Sequence, residues 1–163
     1  MKDYRPRPRI QIGWFLAILA AITTTPVMAQ TANFGRFSLL PGFEPAQGKF
    51  SGYTNGSYSL SAISNRDRNK QACIGFADPK PDYIMVLEKD FEQMRILIDT
   101  GNSDTTLLVK GPDDNMIRCG DDTGKSKDAS VSDRNWKKGI YHIWVGTFNP
   151  NVKRKYTLTV QQQ

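Results

Sequence analysis

The sequence predicts an all-β fold, an antiparallel β-sandwich of about seven to nine short strands over residues 57–163. Three observations predict it. Apolar and polar residues alternate with period two in several short runs, most cleanly at residues 156–160, YTLTV. Each run is stopped by Gly, Pro, Asn or Asp. No segment carries a sustained helical pattern.

The N-terminus is a separate element. Lys2, Arg5, Arg7 and Arg9 face one acid, Asp3, and residues 12–22 form an apolar run of 11. That run is short for a hydrocarbon layer of ~30 Å. Val27 and Ala29 then offer the small residues of a cleavage site. The pattern predicts a secretory signal over residues 1–29, with no membrane span after cleavage. The segment holds four of the 22 basic residues and one of the 16 acids, which leaves 18 against 15, or +3. So small an excess, in short clusters such as Arg66–Arg68 and Lys153–Lys155, points to solvated loops and away from nucleic acid. The expected compartment is periplasmic or extracellular.

Two cysteines, Cys73 and Cys119, follow the signal. An even count in an oxidising compartment favours a disulfide over two free thiols. Two thiolates with one histidine make a poor zinc set.

Residues 30–56 hold several Gly and Pro with scattered aromatics, and are expected to be an extended or partly disordered lead-in covering a sheet edge. Tyr58, Leu60 and Ala62 alternate with serines, so residues 57–63 are expected to be a strand. Residues 72–76 are expected to be another, and the prolines at 79 and 81 break any helix. The continuous apolar run YIMVL at 83–87 predicts a strand covered on both faces. Residues 91–99 place Met94, Ile96 and Ile98 on one face, and the stop at Asp99–Asn102 favours strand over helix. Residues 105–110 and 116–119 flank a dense turn, GPDDN. Short strands follow at 129–133, 140–146 and 156–160.

The motif order resembles a known family. Leu107 to Asp113 reads L-x-V-x-x-P-D; Asp121 and Asp122 follow; Gly139 to Val145 reads G-x-Y-x-I-x-V; and Tyr156 to Val160 reads Y-x-L-x-V. Together, over about residues 73–162, these resemble the bacterial pre-peptidase C-terminal domain. The resemblance implies a jelly-roll-like sandwich, exported and without catalytic activity of its own, here in a stand-alone form. Some relatives bind matrix polymers or calcium.

The candidate metal ligands are Asp113, Asp121 and Asp122, with Asp114 and Asp128 nearby in sequence. Calcium takes six to eight oxygens, commonly including several carboxylates. The competing expectation is that these aspartates cap turns through their own backbone. No other cofactor is implied. His142 and Trp144 share the outward face of residues 140–146 and are the candidate ligand-binding pair; Trp144 is either a platform for a sugar ring or a peptide, or packs on a neighbouring strand or the aromatic lead-in. No Gly-x-Ser-x-Gly elbow accompanies the single histidine, and no catalytic residue is assigned. The expected function is a non-catalytic binding or accessory module whose partner is an envelope polymer or a protein. The alternatives are a small hydrolase using loop carboxylates, or a structural envelope protein.

Overall fold

The computed structural model describes Met1 and residues 31–163, so the expected signal segment lies outside the described residues, Met1 apart. Two sheets form the fold. The first joins β1 (Gly35–Leu39), β3 (Tyr58–Ser59), β4 (Phe76–Ala77), β5 (Tyr83–Leu87), β7 (Thr105–Lys110), β8 (Ile117–Gly120) and β10 (Gly139–Thr147). The second runs in the order β2 (Lys49–Tyr53), β11 (Lys155–Gln162), β6 (Phe91–Asp99), β9 (Ser130–Trp136). Every pairing is antiparallel except β1 on β5, which is parallel.

The core follows from period-two alternation. Met94, Ile96 and Ile98 of β6 and Tyr156, Leu158 and Val160 of β11 point inward from the second sheet. They meet Leu107 and Val109 of β7 and Tyr141, Ile143 and Val145 of β10 from the first. Each such side chain taken out of water contributes about 1.5–3 kcal/mol. The five residues of β5 are buried on both faces, Val86 alone less fully, as its unbroken apolar run predicts.

A second, smaller cluster lies on the other face of the first sheet. Leu108, Cys119 and Trp144 lie side by side on the outer face of the first sheet, in register across β8, β7 and β10. Leu60, Cys73 and Ala77, from the segment that crosses this face, cover them. Cys73 and Cys119 are joined, their Cα atoms 5.3 Å apart.

This covering segment departs from the sequence expectation. Residues 57–63 give only the two-residue β3 and then a 3-10 turn, Leu60–Ala62. Leu60 has to turn into the outer cluster, where it is 1% exposed, and its amide is taken by the Gly75 carbonyl at 2.9 Å. The serines favour that turn by bonding locally, Ser59 Oγ to Ser61 Oγ at 2.8 Å. Residues 72–76 likewise yield a strand only at Phe76–Ala77. Gly75 interrupts them at φ +91°, packed against the Thr106 side chain where a Cβ would not fit.

Residues 31–56 supply two strands, β1 and β2, with a 3-10 turn, Pro45–Gly48, between them. β1 and β2 are the outer strands of their sheets on the same side of the sandwich. Phe37 and Phe50 close that side by stacking at 3.8 Å between centroids.

Candidate functional site

Three places bring together side chains with chemistry. The first is a cleft of about 470 Å³ at the Lys110 end of β7, lined by Lys110, Pro112, Asp113, Ile140, His142 and Trp144 among others. Register sets it: His142 of β10 lies opposite Lys110 of β7. Lys110 is held by Asp114 at 2.8 Å. Burial first, then the charges of Lys110 and Arg36, push the His142 imidazole below its ordinary value, so it is neutral at pH 7.

Trp144 does not serve as an open platform. It is 8% exposed, it packs in the outer cluster, and its indole donates to the Pro79 carbonyl at 3.3 Å. It still lines the cleft, its ring centre 6.0 Å from that of His142. The expectation of a stacking surface is corrected by the 57–79 segment, whose reach over the sheet could not be read from the strand pattern. The exposed apolar side chain of the cleft is Ile140.

The second place is acidic. Asp104, Asp121 and Asp122 have carboxylate oxygens within 4.8 Å of one another. Asp113 is not with them. The β7–β8 hairpin puts its turn, and Asp113, at one end and Asp104 and Asp121 at the other, about 20 Å away for six residues of strand. The sequence places Asp113 close to Asp121; the strands carry them apart and bring in Asp104, which was not singled out. Its position directly before β7 was the available signal. Asp128 follows the capping expectation instead, accepting from the Thr100 and Asn102 amides at 3.0 and 2.8 Å.

Asp121 Oδ1 is enclosed and meets no donor with hydrogen-bond geometry. Burial raises the Asp121 carboxyl above the usual range, and Asp122 and Asp104 add to the shift. Lys127 offsets part of the charge through Asp104 at 3.2 Å. A set of three carboxylates with one orphaned oxygen suits a hard cation such as calcium.

The third place was missed in the sequence. Asp82 sits directly before β5, is 4% exposed, and accepts the Val145 amide at 2.7 Å. Its carboxyl is pushed up to about 7, above all by burial. The Tyr156 hydroxyl lies beside it without a well-formed hydrogen bond. Burial, with Asp82 next, pushes Tyr83 up to about 12 and raises Tyr156 too. An acid abutting an unbroken apolar run was the legible sign, but the sequence reads equally as loop.

No family model matches the chain, and no curated protein matches it. Among solved structures it is similar to the pre-peptidase C-terminal domain of a collagenase from Bacillus anthracis, at 14% identity over 77% of this chain and 94% of that one, with a TM-score of 0.46. It is also similar to CorA, a surface-associated copper-binding protein of Methylomicrobium album, at 9% identity over 82% of this chain and 100% of that one, with a TM-score of 0.45. At these identities neither likeness carries a ligand or an activity to this chain. The chain is an all-β sandwich with one disulfide.

Proposed function

We propose that the protein is a non-catalytic, exported binding module of the cell envelope or extracellular space, taking an envelope polymer or a partner protein in the His142 cleft. The observation that supports this is the cleft itself: an apolar wall at Ile140 beside a neutral imidazole, an ammonium and carboxylates, on rigid strands. A few convergent polar groups on an apolar wall suit recognition. The test is retention of envelope fractions on immobilised protein. His142→Ala and Lys110→Ala are expected to lower retention about tenfold, the scale of one lost hydrogen bond to a charged group. Equal retention by all three proteins would sink the cleft. Turnover of a glycoside, ester or peptide panel, lost in Asp121→Ala, would replace this reading with a hydrolase.

A second reading concerns stability, and the orphaned Asp121 oxygen favours it. Calcium held by Asp104, Asp121 and Asp122 would tie the start of β7 to the loop after β8. At a concentration one hundred times its dissociation constant, calcium is expected to raise the melting midpoint by roughly 10 °C. Asp121→Asn should abolish the rise. A midpoint indifferent to calcium and to chelator would remove the ion from the account.

A further inference from the structure

A separate cleft of about 300 Å³ lies where the lead-in, the end of β2, the residues before β5 and the loop before β11 meet. Two aromatic side chains line it, Phe34 at 41% and Tyr53 at 47% exposure. Among the described residues Tyr58 and Phe148 are comparably exposed rings, and neither lines this cleft. Two carboxylates, Asp78 and Asp82, line the same cleft. Lys153 lines it too, and its Nζ stands 5.3 Å from the centre of the Tyr53 ring.

This combination selects for a cation. An aromatic face attracts positive charge placed within about 6 Å of its centre. Carboxylates accept the three N–H bonds that an ammonium must make once it leaves water. An anion would be repelled by Asp78 and Asp82. Each carboxylate has one backbone donor fixed on it, Lys80 N on Asp78 at 2.9 Å and Val145 N on Asp82 at 2.7 Å. Each keeps accepting capacity beyond that bond. Among the described residues no ion pair within 4 Å joins Lys153 to either acid. Lys153 therefore samples the ring face without answering the acids. It is the chain's own demonstration that an ammonium on an aliphatic stem fits against Tyr53.

We propose that this cleft binds the side-chain ammonium of a lysine exposed on a partner protein, seated on Tyr53 beside Asp78 and Asp82, with Lys153 displaced to admit it. The stem would lie along Phe34 and Tyr53 while its charged head meets the acids. Lys153 is then an internal competitor that sets the affinity.

Protonation follows from the same geometry. The charged and titratable groups around Asp82 are Asp78 and Lys153 of the cleft, Tyr83 beside it in the chain, and Tyr156 of β11. Burial pushes the Asp82 carboxyl itself up to about 7. A bound ammonium favours its ionised form, so binding releases a proton and tightens as pH rises through that value.

The probe is the peptide acetyl-Gly-Lys-Gly-amide, titrated calorimetrically into the full chain at pH 6 and pH 8. Binding about fivefold to tenfold tighter at pH 8 is expected, and Asp82→Asn should remove the pH dependence. Lys153→Gln should tighten binding several-fold, and Tyr53→Ala should weaken it about tenfold. Tyr53 and Lys153 are exposed, so neither change threatens the fold. Two results overturn the proposal: no binding to the Lys153→Gln protein, or equal binding of the peptide with its lysine acetylated. Retention on phosphatidylethanolamine vesicles without peptide binding would overturn it too, by making the ammonium a lipid's. His142→Ala should leave the peptide titration unchanged, which keeps this site distinct from the other cleft.

Discussion

The double variant Cys73→Ala/Cys119→Ala is expected to melt on the order of 15 °C below the wild type, a loss of about 4 kcal/mol. The bond closes a separation of 46 residues, and a loop of that size removes about that much chain entropy from the unfolded state. The geometry explains why nothing else replaces it. The segment before β5 has one two-residue strand against the sheet on each side of the cysteine, and little regular pairing otherwise. It is held by Leu60 and Ala77 in the outer cluster and by the buried Asp67, which accepts from the Asn69, Gln71 and Cys119 amides. The disulfide converts these local contacts into a fixed cover over Leu108 and Trp144. Exposure of Trp144 in the double variant, read as a red shift of its fluorescence, should accompany the fall in midpoint. A midpoint within a few degrees of the wild type would mean that apolar packing alone holds the cover. Reductant added to the native wild type should act slowly, because Cys73 and Cys119 are 2% and 5% exposed.

The same comparison shows what the sequence carries. Residues of β5, β6, β7, β10 and β11 were legible because burial on one face or both writes itself directly as a period of two or an unbroken run. β1 and β2 were not, since their aromatics pair across two sheets and no local pattern records a partner in another sheet. The cover segment looked like a strand because serines alternated with Tyr58, Leu60 and Ala62, although only Leu60 is anchored inward. The acidic site was half legible. Asp121 and Asp122 were visible as a cluster, and their neighbour Asp104 was not, because nearness in a hairpin is decided by strand register and not by sequence distance.

Asp82→Asn is expected to stabilise the protein at pH 8 and to flatten its stability between about pH 4 and about pH 7. Burial holds the Asp82 carboxyl up at about 7 in the folded chain, against 3.8 for an ordinary aspartate. A group raised in this way favours folding fully only below its unfolded value. That advantage is lost as pH rises to the folded value, because the unfolded chain ionises freely and the folded one resists. A difference of roughly three pKa units corresponds to about 4 kcal/mol across that window. Solvent screening offers little relief at 4% exposure. Asparagine keeps an oxygen for the Val145 amide and has no charge to bury, so its stability should not fall over the window. Part of the gain at pH 8 is offset, since a neutral acceptor bonds that amide less strongly than a carboxylate does. Urea unfolding of both proteins at pH 5 and pH 8 measures the effect as a difference of differences, which cancels the other titrating groups. A gap between the two proteins that stays constant with pH would show that Asp82 titrates as an ordinary carboxyl.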